Sequence, residues 1–145
     1  MFIERVLQDS NELFEAIKRL VPQLDTHKSI PSRQELTLLI NSEASTLWIA
    51  RYPDEGGEIA GILTIAIYRV PTGLRSIVED VVVDQHLRRR GIAEALLRSA
   101  IEYAQDVGAN GVSLTSNPQR EAANKLYQAL GFERRETNSY FYRIK

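Results

Sequence analysis

The sequence predicts an α/β (α+β) protein: a mixed, mostly antiparallel sheet of seven strands with helices on both faces. Three observations lead there. Apolar residues recur three or four apart in four separate segments, which is the spacing of one helix face. Between Thr46 and Val83 the chain alternates β-rich runs with clusters of turn residues, the pattern of an antiparallel meander. From Val81 to Thr115 it runs strand, helix, strand, which favours a right-handed crossover and hence a parallel pair.

Phe2 to Leu7 alternates weakly and stops at Asp9-Ser10-Asn11, a strand followed by a helix-start signal. Leu13, Phe14, Ile17, Leu20 and Val21 then share one helical face, which Pro22 helps to end. Ser32 and Glu35 have capping-box spacing ahead of Leu36, Leu39 and Ile40, a second amphipathic helix. The loop between the two helices holds His27, whose simplest role is a solvated surface histidine.

Thr46 to Tyr52 and Glu58 to Val70 are strands joined by the turn Pro53 to Gly57, and Pro71-Thr72-Gly73 leads into a third strand, Leu74 to Val83. Trp48 is a packed strand aromatic. Ala93, Leu96, Leu97, Ala100, Ile101, Ala104 and Val107 form the stripe of a third helix, stopped by Gly108. Val112 to Thr115 is a short strand, expected parallel to Val81–Val83. Asn117-Pro118 signals the cap of a fourth helix carrying Ala123, Leu126, Tyr127 and Leu130, with Gly131 at its end. Phe132 to Arg134 and Ser139 to Ile144 are the last two strands, giving the order βααβββαβαββ.

At 145 residues, with 43% hydrophobic and 26% charged, the chain suits one domain over 1–145. A net charge of -1 argues against broad nucleic-acid or anionic-membrane binding, both of which rest on a surplus of Lys and Arg. The absence of cysteine removes disulfides, zinc-thiolate sites and cysteine nucleophiles, and no metal is called for. No stretch reaches the ~18 apolar residues of a membrane span, and the acidic N-terminal segment is unlike a signal peptide. A cytoplasmic location is the expectation.

The chemistry concentrates in Glu79 to Arg98, EDVVVDQHLRRRGIAEALLR. A β-branched strand, Val81-Val82-Val83, runs into a turn with Arg88, Arg89, Arg90 and Gly91 and then into a helix beginning Ile92-Ala93. Unpartnered N–H groups and the dipole make a helix start attractive to anions, and small residues let a phosphate approach the backbone. The residues alone fit equally an ordinary basic turn capping a core helix.

Arg88-x-x-Gly91-x-Ala93 directly after Val81–Val83 resembles the acetyl-CoA pyrophosphate loop of the GNAT family of N-acetyltransferases. A second block, Asn117 to Phe132, is similar to that family's later helix through Asn124, Tyr127 and Gly131-Phe132. The two blocks stand in the family's order. The resemblance covers the C-terminal half well and the first seventy or so residues in element order only.

The resemblance implies two central parallel strands that splay apart, with the pantetheine amides of acetyl-CoA filling the gap like an added strand. It assigns donor binding to Val81, Val82, Val83, Arg88, Arg89, Arg90, Gly91, Ile92, Ala93, Asn124 and Tyr127. The arginines would neutralise phosphates of the coenzyme. The implied reaction is direct acetyl transfer to an amine, with the Val81 N–H as a donor to the thioester oxygen. Tyr127 is the candidate general acid and Glu79 the candidate base, through a water. A core aromatic role remains open for Tyr127, and an ion pair with Arg75 for Glu79. Strict alternation would turn Glu79 and its neighbour Asp80 to opposite faces, unless a strand bulge intervenes.

Acetyl-CoA and an amine acceptor are the implied partners, with no nucleic acid and no membrane. The acceptor pocket is expected from the loop between the first two helices, the strand around Tyr68 and the turn near Asn138. An exposed C-terminal edge strand could pair with a second copy, giving a homodimer. A non-catalytic CoA-binding or regulatory module on the same fold is the alternative. A nucleotide-binding domain ranks lower, since neither GxxxxGK[ST] nor G-x-G-x-x-G is present.

Overall fold

Ser10 opens the first helix by accepting a hydrogen bond from the Leu13 amide at 3.1 Å. In the computed structural model, which describes residues 1–145, that helix follows β1 (Phe2–Arg5) and is α1 (Asn11–Leu24). The capping box expected at Ser32 and Glu35 is formed and starts α2 (Arg33–Ile40). Three strands follow, β2 (Ser45–Tyr52), β3 (Glu58–Val70) and β4 (Gly73–Val83), then a single 3₁₀ turn at Gln85–Leu87. The last helices are α3 (Ile92–Asp106) and α4 (Glu121–Ala129). The chain divides into two compact units, Met1–Leu114 and Thr115–Lys145.

In the first unit the four strands lie in the order β1-β2-β3-β4, each pair antiparallel. Residues opposite one another in a ladder point to the same face, so the register divides the sheet into two surfaces. Leu47, Ile49, Ile59, Ile62 and Val82 lie on one of them and pack in a single cluster with Leu13, Ala16, Ile17 and Leu20 of α1 and Leu36 of α2. Trp48, Ala50, Gly61 and Leu63 lie on the other, where α3 packs. Trp48 meets Tyr103 there with ring centroids 5.7 Å apart, and the Arg5 guanidinium covers the same tyrosine at 5.4 Å.

Gly61 sets how closely α3 approaches. A Cβ at this position would stand 3.1 Å from the Val82 carbonyl oxygen and 3.3 Å from both Ile92 Cγ2 and Leu96 Cδ1. Any side chain there would force the Val82 carbonyl or the start of the helix to give by a few tenths of an ångström, so glycine suits the close approach.

Several expectations are corrected. The sheet has four strands, not seven. Phe132–Arg134 and Ser139–Ile144 form no strand, and Tyr140, Phe141, Tyr142 and Ile144 are exposed. Aromatic and β-branched residues favour a half-buried pleated surface rather than extended backbone in itself, so without a ladder their preference yields no strand. Val112–Thr115 forms no named strand either. Its one bridge is parallel, as expected, but pairs Ser113 with Ile77 rather than with Val81–Val83. Hydrogen bonds from Ser113 N to Ser76 O (3.0 Å), Asn110 N to Leu74 O (2.9 Å) and Ser76 Oγ to Gly111 O (2.7 Å) fix that register nearer the start of β4.

Pro22 lies inside α1, which continues to Leu24. In the last turn a proline removes one N–H but leaves the Asp25 N–H free to close on Val21 O at 3.4 Å. In the second unit α4 starts at Glu121 rather than Pro118, because the Asn117 side chain accepts from Gln119 N at 2.9 Å and folds 117–120 into a turn of its own.

Replacing Gly61 by valine is expected to cost about 1 to 3 kcal/mol, the range of core overpacking. Urea denaturation of Gly61→Val should show a lower midpoint with an unchanged slope. An unshifted midpoint would mean that α3 can retreat without loss of packing.

Candidate functional site

The site begins with an irregularity in β4. Thr64 faces Glu79 and Ile62 faces Val82, so β4 spends three residues where β3 spends two. The extra residue is accommodated at Asp80, whose φ of 52° is left-handed. This is a β-bulge, and Asp is among the few side chains that tolerate the conformation.

The bulge has two consequences. The first concerns faces: Glu79 and Val82 would point to opposite sides of a regular strand, but here both share the α1–α2 face through Thr64 and Ile62. Val82 enters the core, while Glu79, farther along the same face, is exposed. Its alternative partner Arg75 instead donates to Thr72 Oγ1 at 2.9 Å.

The second consequence concerns the strand edge. Val78 N donates to Ser113 O at 2.8 Å and Ser76 O accepts from Ser113 N, so residues 76 and 78 turn their backbone groups away from β3. Asp84 N donates the other way, to Ala60 O of β3 at 2.7 Å. Counting back from Asp84, Val82 also faces β3, while Val81 and Val83 face outward. In unbroken alternation the outward residues would have been 80 and 82. The bulge thus puts the Val81 and Val83 amides on the edge of the sheet, where β4 has no strand partner.

That edge runs straight into the loop before α3. Asp84 is buried, and its carboxylate accepts from Arg19 Nε and His86 N, both at 3.2 Å. Arg89 (φ 63°) and Gly91 (φ 79°) are both left-handed, and Gly91 is the residue preceding the helix. The first bond of α3 is Ala95 N to Gly91 O, at 3.1 Å. The amides of Ile92, Ala93 and Glu94 therefore have no intrahelical acceptor, and no side chain caps them. A Cβ at Gly91 would meet only Met1 Cε, at 3.8 Å, so glycine is required there by the backbone angle rather than by crowding.

The three arginines are exposed and differ in what they hold. Arg88 Nε donates to Val83 O at 3.4 Å. Arg90 donates to the Tyr52 hydroxyl at 3.3 Å, with its guanidinium 5.4 Å from the centre of that ring. The first unit therefore brings Val81, Val83, Arg88, Arg89, Arg90, Gly91 and Ala93 into one continuous stretch. Val82 and Ile92 contribute to it from beneath, as buried packing.

Sequence reasoning missed Arg19, Gln23 and Tyr52, all of which contact this loop. A carboxylate directly after a valine strand was the one available signal, yet the partner of Asp84 lies 65 residues away in sequence.

Tyr127 and Asn124 belong to the second unit. Tyr127 is buried, which raises its phenol above the ordinary value of 10.0, an effect only partly opposed by the charge of Arg120. Its ring packs edge-on against Phe132 at 6.0 Å. The Asn124 amide donates to the carbonyls of Asn117 (3.0 Å) and Arg120 (2.9 Å), tying the turn 117–120 to α4. At neutral pH Tyr127 is thus a protonated group, able to give a proton but not to take one.

Residues 7–132 match the model of the acetyltransferase (GNAT) family. Among curated relatives, the rat N-acetyltransferase family 8 member 2 is 31% identical over 107 residues, 72% of this chain and 45% of that protein. The zebrafish (Danio rerio) N-acetylaspartate synthetase is 46% identical over 59 residues, 40% of this chain and 21% of that protein. The chain spans less than half the length of these relatives. Among solved structures, an aminoglycoside acetyltransferase from an uncultured soil metagenomic sample, in complex with sisomicin, superposes with a TM-score of 0.85 at 19% identity, covering 99% of this chain and 96% of that one. The ribosomal-protein-alanine N-acetyltransferase of Brucella melitensis biovar Abortus 2308 gives 0.78 at 22% identity, with 99% and 98% covered. At such identities the structural matches speak for the fold alone: a mixed α/β fold with an antiparallel sheet and helices. With its family model spanning nearly the whole chain, this protein belongs to the GNAT acetyltransferase family.

Proposed function

We propose that residues 1–145 form one catalytic domain, an N-acetyltransferase that moves an acetyl group from acetyl-CoA directly to an amine. The observation that carries this is the outward Val81 and Val83 amides leading, through left-handed Gly91, to an uncapped helix start. An extended diamide such as pantetheine suits the first part, and a diphosphate suits the second.

In this reading the Val81 N–H polarises the thioester oxygen as charge develops on it. The neutral amine attacks the carbonyl carbon, a C–N bond forms, and the C–S bond breaks with its electrons leaving on sulfur. A thiol of pKa about 8.5 leaves readily, so Tyr127 has only to hand its phenolic proton to the departing thiolate. The proton lost by the amine passes to Glu79 through a water. As an exposed carboxylate on the α1–α2 face, Glu79 can pass that proton on to solvent.

Acetyl-CoA with a panel of amines, followed by release of free CoA thiol, tests the proposal. Turnover with at least one amine is expected. Binding of CoA without turnover on any amine would instead favour a non-catalytic CoA module. Gly91→Val should weaken CoA binding about tenfold or more, because it adds roughly 1 to 2 kcal/mol of left-handed strain and a branched side chain at the anion site. Calorimetry reads this directly, and unchanged affinity would rule out the anion site. Tyr127→Phe should lower kcat about tenfold to a hundredfold, near or below the lower end of general-acid effects, with CoA affinity retained. Because burial raises the phenol, loss of its proton should depress wild-type kcat only above pH 10.0. That limb should be missing in the Tyr127→Phe profile.

A further inference from the structure

α1 is fastened to the sheet by its buried stripe, yet two residues on its flank reach past the core to the loop that follows β4. Arg19 and Gln23 are four apart and so lie one above the other on the helix. The Gln23 amide nitrogen donates to Arg19 O at 3.3 Å, and its oxygen accepts from the backbone N–H of Gln85 at 2.8 Å. Arg19 donates from Nε to Asp84 at 3.2 Å and from Nη2 to Ile59 O at 2.6 Å. The two residues directly after β4 are thus both tied to α1, one by an ion pair whose acid is buried and one through its main chain.

We propose that Arg19 and Gln23 are positioning residues for the donor site, holding the 84–91 main chain in the conformation that presents its amides to a phosphate. The proposal rests on the acetyl-CoA reading above. The loop needs an external anchor because Arg89, with a side chain, sits in a left-handed conformation that strains any residue carrying a Cβ. Within 84–87 the backbone supplies one hydrogen bond of its own, Leu87 N to Asp84 O at 2.8 Å. The Gln85 N–H would otherwise turn to water, leaving the segment free to relax away from the helix start. Since Leu13, Ala16, Ile17 and Leu20 already hold α1 in place, the flank contacts can be removed without unpacking the helix.

Gln23→Met in the full chain tests this, since methionine keeps the length and stem of glutamine but cannot accept the Gln85 N–H. The expected result is a five- to tenfold rise, about the effect of one hydrogen bond, in the Kd for CoA and in the KM for acetyl-CoA. The kcat at saturating acetyl-CoA should stay within about twofold, and Tm within about 2 °C, as for a surface substitution. Hydrogen exchange of the Gln85 amide should quicken in the absence of any ligand, a readout independent of activity. If Gln23→Met binds CoA like the unaltered chain, or loses Tm and kcat together with CoA affinity unchanged, the positioning role is wrong while the acetyl-CoA reading stands. If the unaltered chain gives no heat with CoA, the acetyl-CoA reading fails first and the positioning role with it.

Discussion

The insertion of one residue at Asp80 is the constraint on which the open edge of β4 and the loop after it depend. A regular β4 could bury Val78 against one face and continue in step, but then Val82 would follow Val78 and leave the α1–α2 core one side chain short. The bulge resets the count: Val78 stays opposite Ile65 on the α3 side, while Val82 moves opposite Ile62 into the cluster with Leu13, Ile17 and Leu20. The same reset turns the Val81 and Val83 amides outward. Core packing and the open edge are therefore two results of one backbone event, and undoing the bulge would disturb both. Its cost, a left-handed non-glycine residue, falls on an exposed aspartate that tolerates the angle comparatively well.

The rest of the first unit keeps that edge and the following loop in fixed relation. α3 approaches β3 as closely as Gly61 allows, which brings its uncapped first turn near the end of β4. The loop between them is then held from two sides, by α1 through Asp84 and Gln85 and by the β2–β3 hairpin through Tyr52 and Arg90. Arg51, next to Tyr52, makes a two-pronged pair with Glu12 of α1 at 2.8 and 2.9 Å and lowers the pKa of that carboxyl. Being largely exposed on the Glu12 side, that pair orients the hairpin more than it stabilises the fold. α1, the hairpin and the loop thus form one hydrogen-bonded frame.

What the amino-acid pattern revealed was local, and what it hid was pairing. β3 lies where alternation and turn residues put it, Glu58 to Val70, and the Ser32–Glu35 cap and the Gly108 stop are where their residue types call for them. The bulge was foreseeable as a possibility, since Glu79 and Asp80 are adjacent carboxylates in an apolar run, but its position is set by what Thr64 and Ile62 face. The register of Ser113 on Ile77 depends on hydrogen bonds to Ser76 and Gly111, which carry no signature in spacing. The C-terminal strands failed for the same reason: β propensity expresses itself only against a partner, and Tyr140 to Tyr142 have none in this chain. For the site, Gly91 and the arginines were legible because turn chemistry is local. Arg19 and Gln23 were not, because they act across the fold, Arg19 on a carboxylate 65 residues away and Gln23 on a main-chain N–H that leaves no mark in the residue type.

That last distinction bears on how the proposed donor site would recognise a ligand. Three consecutive arginines suggest recognition by charge, yet Arg90 spends one donor on Tyr52 and Arg88 one on Val83 O, so each is partly tied to the protein. Arg89 is exposed and holds no partner, and beside it the amides of Val81 and Val83 and those at the start of α3 keep unspent hydrogen-bonding capacity. Main-chain donors cost no side-chain entropy to order and are fixed by the fold before a ligand arrives, which is the condition for preorganised binding. On the proposed reading, the arginines should govern the rate of encounter and its salt dependence, while the amides govern which ligand stays. A site of this kind needs a bulge, a left-handed glycine and an uncapped helix, and few particular side chains. Sequence can therefore drift widely around such a site while its geometry persists.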